Sequence, residues 1–245
     1  MTFIEKLLNK RKGKPPFCSA VIAAAGSSQR MEGEDKLFIE ICGTPVLAHT
    51  LVAFQNNDLI NEIIVVASVS SFERISELCR HYNIVKATKI MAGGATRLDS
   101  VINGVLAVSK KAQLIAIHDA ARPCVENDLI ERTVSAAARY RAVAPAIPVS
   151  STLKKVKDGI VIETVSREGL YEVQTPQVFS AEIIKLALTK SRNKSIEITD
   201  DCMAVELLGI QVYITEGSRS NIKLTTSDDI TIAEAILGKG VSLCE

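Results

Sequence analysis

The chain has 245 residues, with 29 Lys and Arg against 28 Asp and Glu and a formal net charge of +1, which excludes a global field that draws in nucleic acid or an anionic membrane. Its length suits one α/β domain, or one with a small appendage. The six cysteines, Cys18, Cys42, Cys79, Cys124, Cys202 and Cys244, form neither a CxxC pair nor a zinc spacing, so they read as reduced thiols of a cytoplasmic protein.

The first stretch, MTFIEKLLNKRKGKPPF (residues 1–17), is basic and partly apolar. A secretion signal places its positive charges ahead of the apolar run, whereas here the order is reversed and the run is broken by Glu5 and Lys6. The reading is a mobile basic tail, and no later stretch reaches the length needed to span a bilayer.

From Cys18 onward, strand-like and helix-like runs alternate. SAVIAAA (19–25), EIIVVAS (62–68), KIMAG (89–93), LIAIHD (114–119) and AVAPAIPVS (142–150) read as buried strands. LAHTLVAFQNN (47–57), SFERISELCRHY (71–82), RLDSVINGVLAV (97–108) and NDLIERTVSAAARY (127–140) read as amphipathic helices between them, the last capped by Asn127 or Asp128. This is the pattern of an α/β fold with a mostly parallel open sheet and helices on both faces.

Residues 150–175 break the alternation. TLKKVKDGIVIETV has period-two polarity on each side of Asp158-Gly159, a dipeptide suited to a tight hairpin turn. An isolated hairpin is marginal in water, so it either lies on its own domain or projects as an arm that a second copy of the chain covers; the second is expected, which makes the protein a homodimer.

Open α/β sheets bind ligands beyond the C-terminal ends of their strands. Four segments there carry chemistry-bearing residues. AAAGSSQRM offers the Gly26 turn, whose amides suit phosphate oxygens, together with Arg30 and the following Lys36. GGATRLDS opens a helix, with Gly93 and Gly94 permitting close approach of a ligand and Ser100 near the helix start. HDAARP ends the most apolar strand with His118 and Asp119, an acid a core has no use for. In GSRSNIKLTTSDDITIAEAIL, Lys223 interrupts an apolar strand end, and Ser227 with Asp228 or Asp229 caps the last helix.

In this order, and over nearly the whole chain from Cys18, AAAGSSQRM, GGATRLDSV, HDAARP, TPQVF, TDD and NIKLTT resemble the motifs of the 2-C-methyl-D-erythritol 4-phosphate cytidylyltransferase family. The resemblance implies a Rossmann-like nucleotidyltransferase domain over residues 18–245, with residues 150–175 as a dimerisation arm. It implies transfer of the cytidylyl group of CTP to methylerythritol phosphate with release of pyrophosphate, in the non-mevalonate route to isoprenoid precursors. It further implies that Arg30 and Lys36 hold the triphosphate and stabilise charge at the α-phosphorus, with Lys223 as the second lysine there. Ala24, Ala25, Gly26, Gly94 and Ser100 match positions that contact the nucleotide, and Asp119 matches the carboxylate that carries Mg²⁺ or another divalent cation. Thr152 and Arg167, on the arm, match residues that hold the acceptor, Arg167 reaching into the other subunit's site. Ser28, Ala95 and Ser220 depart from residues common in the family.

The attacking group in such a reaction is a phosphate oxygen already ionised at neutral pH, so no general base is required. Three histidines, His49, His81 and His118, agree with that; His118 is expected to pack or hydrogen-bond at the strand end, and Arg122 to orient the loop. Two alternatives are a cytidylyltransferase for another alditol phosphate, such as ribitol 5-phosphate, and a non-catalytic nucleotide-binding regulator. A dinucleotide-dependent oxidoreductase is disfavoured, because the first loop lacks G-x-G-x-x-G.

Overall fold

The structure, a computed structural model, describes residues 15–26, 36–193 and 197–238. The continuous Val, Ile and Ala runs form the centre of a parallel sheet: β1 (Cys18–Ala24) lies between β4 (Glu62–Ala67) and β6 (Leu114–Asp119), and β5 (Ala87–Ala92) pairs outside β4. Strands buried on both faces have no use for alternating polarity, and these three central strands are buried almost throughout. The core has two layers, one on each face. On one face the sheet packs against α1 (Val46–Gln55), α2 (Phe72–His81), α4 (Asn127–Tyr140) and Ala233 of α7 (Asp228–Leu237); on the other it packs against α3 (Arg97–Ala107), α5 (Ala181–Asn193) and α6 (Asp201–Glu206). A small ribbon of β2 (Glu40–Ile41) and β3 (Thr44–Pro45) precedes α1. Among the described residues no helix is long and apolar enough to cross a membrane.

Beyond β6 the sheet changes direction. β11 (Gln177–Ser180), inside the TPQVF motif, runs antiparallel between β6 and β7 (Ala142–Pro148), and β10 (Tyr171–Val173) pairs antiparallel with the end of β7. Val143 pairs with both Val178 and Tyr213, and Ala146 with both Val173 and Glu216. β12 (Tyr213–Glu216) therefore takes one edge of β7, while β10 and β11 share the other as one interrupted strand. The interruption, Gln174 to Pro176 with a cis Thr175–Pro176 bond, falls where β6 ends, because Ile117 is the last β6 residue paired, with Gln177. Thr175 is thereby delivered to His118 and Asp119.

That delivery is visible as a hydrogen-bond chain. The Arg122 carbonyl can only accept, so the His118 Nε2, 3.5 Å away, carries the ring proton. Nδ1 then accepts from the Thr175 hydroxyl at 2.9 Å, and Thr175 Oγ1 in turn accepts from the Asp119 amide at 3.2 Å. The ring is fully buried against Phe54, with centroids 4.9 Å apart, which is the packing and hydrogen-bonding place the sequence led us to expect. Burial pushes its pKa down from 6.5 to about 3, the neighbouring Asp119 charge opposing this only in part.

The hairpin is separate from the main sheet: β8 (Leu153–Lys157) and β9 (Ile160–Val165) pair only with each other, across a turn in which Asp158 and Gly159 take φ of 51° and 78°. Every residue of β9 is exposed. Of the span 150–175, residues 171–173 belong to the main sheet as β10.

Several local expectations are corrected. Lys223 is not in a strand: the segment 221–225 has no regular secondary structure and pairs in no sheet, its backbone bonding instead to loops, as in Leu224 N–H to Ala121 O at 2.9 Å. Neither Asn127 nor Asp128 caps α4; Glu126 holds the cap position, and the Asn127 side-chain oxygen accepts from Asn57. At α7 Ser227 makes no cap bond, while Asp229 reaches back to the amides of Thr225 and Thr226.

Two measurements probe this frame. A Cβ at Gly104, where α3 crosses the sheet, would lie 2.5 Å from Val21 Cγ1 and 2.6 Å from Val66 Cγ2. Overpacking costs about 1–3 kcal/mol, against about 1 kcal/mol gained in helix propensity; two contacts this short put the cost at the upper end, so Gly104→Ala should lower stability in urea unfolding by about 2 kcal/mol, and an equal or higher midpoint would contradict the close packing. His118 stays neutral in the fold but charges in the unfolded chain below pH 6.5, so its contribution is complete above that value and is lost as pH falls toward 3. Between pH 7 and pH 5 the wild type should lose about 2 kcal/mol more stability than His118→Gln, and parallel losses would remove the buried neutral ring from the account.

Candidate active site

The site assembles at the C-terminal ends of β1, β4 and β6. Asp119 is level with Ala23, and Ala120 N–H donates to the Ala23 carbonyl, so Ala24, Ala25 and Gly26 rise beside the acid. The second glycine loop is drawn onto the first: Gly93 N–H donates to Ala67 O, and a Cβ on Gly93 would stand 2.4 Å from Ala25 Cβ. Only glycine allows that approach. Gly94 donates its amide to Ser100 Oγ at 3.0 Å, and this hydroxyl donates on to Thr96 O at 2.9 Å. Ser100, buried at the fourth residue of α3, thus fastens the turn, while Thr96 is the cap, accepting from Asp99 N–H.

Asp119 is the electrostatic centre. Burial alone would raise its pKa, but Lys223 Nζ stands 2.9 Å from Oδ2, with Arg97 and Arg122 adding positive charge, and together they hold the carboxyl down at about 2. Arg122 Nε is 3.6 Å from the same oxygen and has no hydrogen-bond acceptor, while Nη1 donates to Asn221 O at 2.6 Å. Arg122 therefore orients the loop, as expected, and also charges the site.

The C-terminal strap 221–224 ties these groups together. Asn221 is fully buried and donates to Thr175 O at 2.9 Å; Leu224 binds Ala121 through its amide and, through its carbonyl, accepts from Lys36 Nζ at 3.2 Å. Lys36 opens a short 3₁₀ turn whose next residues, Leu37 and Phe38, are buried, so its backbone is anchored. Lys36, Asp119 and Lys223 are thus brought into one cluster, with Ala24, Ala25, Gly26, Gly94 and Ser100 on the adjoining loops. Arg30 and Ser28 lie outside the described residues.

Thr152 and Arg167 sit apart from that cluster. Both are exposed at the base of the hairpin, where Arg167 donates to the Ser150 carbonyl.

Sequence reasoning gave no role to Arg97, Thr175, Gln177 or Asp201. Arg97 donates to both carboxylate oxygens of Asp201, at 3.1 and 2.8 Å. Gln177 Oε1 accepts from the Asp201 and Cys202 amides, and its Nε2 donates to Asp200. All of these lie inside the motifs GGATR, TPQVF and TDD, but their partners stand 23 to 104 residues away along the chain and leave no local signal. The described residues gather no group of three or more His, Cys, Asp or Glu able to hold a metal alone.

The fold and these loops have clear counterparts. Residues 18–239 match the family model for 2-C-methyl-D-erythritol 4-phosphate cytidylyltransferase. The chain is 44% identical over 222 residues to the protein of that name from Halalkalibacterium halodurans, covering 90% of this chain and 97% of the relative; the one from Dehalococcoides mccartyi is 42% identical over 222 residues, covering 90% and 96%. Among solved structures, the 4-diphosphocytidyl-2C-methyl-D-erythritol synthase of Anaerococcus prevotii superposes with a TM-score of 0.80 at 32% identity, covering 91% of this chain and 97% of its own. The 2-C-methyl-D-erythritol 4-phosphate cytidylyltransferase of Thermus thermophilus superposes with a TM-score of 0.76 at 32% identity, covering 89% and 98%. With the family model matched over residues 18–239 and relatives covered over nine-tenths of its length, the chain belongs to the 2-C-methyl-D-erythritol 4-phosphate cytidylyltransferase family.

Proposed function

We propose that the chain joins CTP to 2-C-methyl-D-erythritol 4-phosphate in the cytoplasm, as a homodimer that works with Mg²⁺. The observation that carries the chemistry is the Asp119 cluster, one ionised carboxylate ringed by Lys223, Arg97 and Arg122, with Lys36 tied to the same strap. An acceptor phosphate oxygen attacks the α-phosphorus of CTP, the bond to the β-phosphate oxygen breaks, and pyrophosphate leaves. No proton need be removed from the nucleophile, which agrees with a site whose one histidine is buried and held neutral.

The residues present fit a Mg²⁺ ion bound together with its substrate. Among the described residues no three or more acids, histidines or cysteines gather into an all-protein cage, and Mg²⁺ habitually takes one or two carboxylates and fills its shell with substrate phosphates and water. Bound there, held by Asp119, the ion supplies charge neutralisation across the phosphates. The chain's own contribution is positioning. The Gly26 and Gly94 turns let the nucleotide approach the backbone closely, Lys36 and Arg30 neutralise the triphosphate, and Lys223 stands where charge develops at the α-phosphorus.

The acceptor half of the site comes from the arm. Val156, Ile160, Val161 and Ile162 are exposed apolar residues on a ribbon that touches no core, and a second copy is the partner that covers them. The arm then brings Thr152 and Arg167 to the other protomer's Asp119 cluster.

Pyrophosphate release with CTP and Mg²⁺ should be strong with 2-C-methyl-D-erythritol 4-phosphate and weak with ribitol 5-phosphate; the reverse order assigns a different alditol phosphate. Lys36→Ala should lower kcat by about a hundredfold or more with the fold retained, and Asp119→Asn should move the Mg²⁺ titration to higher concentration. Arg167→Ala should raise the acceptor KM by about tenfold while sparing CTP. Equal mixing of Arg167→Ala with Lys36→Ala chains should restore about a quarter of wild-type activity if the arm acts across the dimer, and no recovery would place it in its own site.

A further inference from the structure

An arginine at the first position of a helix faces the wrong end of the macrodipole, where acids are favoured. Arg97 opens α3 in that position, and what holds it there is not local: both Nη atoms donate to Asp201, which opens α6, 104 residues further along the chain. The Asp201 side chain is 1% exposed, whereas that of Arg97 is 36% exposed. A buried ion pair of this kind is weak evidence for stability, since well-packed apolar groups of similar volume often do as well. Its geometry, however, is specific. A bidentate fork fixes the plane as well as the place of a guanidinium.

The place is the site. The Gly94 turn is folded onto the first turn of α3, with Gly94 N–H on Ser100 Oγ and Asp99 against the Gly94 backbone. Arg97 is also near enough to Asp119 for each charge to stabilise the other. With both carboxylate oxygens of Asp201 taken, Arg97 retains further N–H donors on its exposed side. Asp201 is itself immobilised: Gln177 receives its amide, and Asp200 caps α6 through Met203 N–H.

Resting on the CTP reading above, we propose that Asp201 is a positioning residue: its buried carboxylate sets the Arg97 guanidinium between the Gly94 turn and Asp119, so that the fork fixes it at the start of α3, leaving that side chain's free N–H donors for the triphosphate of the bound nucleotide. Asp201 does not touch the nucleotide, and its effect passes entirely through Arg97. The neutral isostere keeps the volume but loses the charge-assisted fork, so the guanidinium is released into solvent and the nucleotide loses an oriented partner.

The test is CTP affinity measured by calorimetry with Mg²⁺ and no acceptor, alongside KM for both substrates and thermal unfolding. Arg97→Ala and Asp201→Asn should each weaken CTP binding by about tenfold, and the double variant should be no weaker than Arg97→Ala alone within about twofold. Arg97→Lys, which keeps the charge but not the fork, should behave like Asp201→Asn, and the acceptor KM should move by less than about twofold in all four. A lowered Tm with CTP affinity unchanged in folded Asp201→Asn makes the pair a mere strut and overturns the proposal. So does CTP affinity unchanged in Arg97→Ala, or a double variant whose loss is the product of the single losses. If the wild type binds CTP but releases no pyrophosphate with methylerythritol phosphate, the acceptor assignment falls and this test still stands; if it binds no CTP, both fall.

Discussion

A carboxylate that must stay charged while nearly out of water is the constraint around which this molecule is arranged. Asp119 ends the central strand β6, where desolvation works against its charge, and it is held ionised by cations from three separate segments: Arg97 from the start of α3, Arg122 from the loop just after β6, and Lys223 from the C-terminal strap. None of these is near the others in sequence. Their convergence requires the parallel sheet to be complete, the Gly93–Gly94 turn to be pressed onto Ala25, and the strap to be docked on the HDAARP loop. The site therefore depends on the whole fold, because each of its charges is brought in by a non-local pairing.

The antiparallel insertion of β11 extends that dependence. Had β7 paired directly with β6, the end of β6 would have opened onto β7 alone. Instead β11 lies between them, and the residues just before it are delivered to the strand end: Thr175 satisfies the His118 ring and the Asp119 amide, while Gln177 grips the start of α6. Each buried polar group in this region has its partner supplied from another element, which is what keeps a polar cluster affordable under a closed sheet. Asn221 Oδ1 and Arg122 Nε are the exceptions among the described side chains here, and both flank the place where substrate phosphate is expected.

How much of this was legible in the sequence follows from range. The parallel strands were readable because continuous Val, Ile and Ala runs have one physical use, and the hairpin because Asp158-Gly159 permits the positive φ values the turn needs. Lys36, Asp119 and Lys223 could be placed near one another because each stands at the end of an element or in a loop at the same edge of the sheet. β11 was missed because four residues with a proline before them carry too weak a periodic signal. Lys223 reads as interrupting an apolar strand end, but the structure buries Asn221 and Leu224, three residues apart, and its segment bonds to a loop and joins no sheet. The Arg97–Asp201 pair left no trace at all, since an arginine at a helix start reads as a solvated charge until its partner is seen.

The hairpin raises a different physical problem. A two-stranded ribbon with Ile160 71% exposed and Val161 and Ile162 each 55% exposed gains nothing from its own chain by placing apolar residues there. The bulge between Lys155 and Val156 adds twist and turns successive side chains off a strict two-face alternation, so no single face can be tucked onto the parent domain. Lys154, Lys155 and Lys157 nonetheless keep the ribbon soluble and discourage open-ended strand pairing. On the proposed reading, apolar flanks combined with charged gatekeepers suit association with a second copy and not a growing sheet. On the same reading this also explains why Thr152 and Arg167 sit apart from the Asp119 cluster of their own chain: the acceptor-binding groups are placed on the one element whose environment only a second protomer can complete.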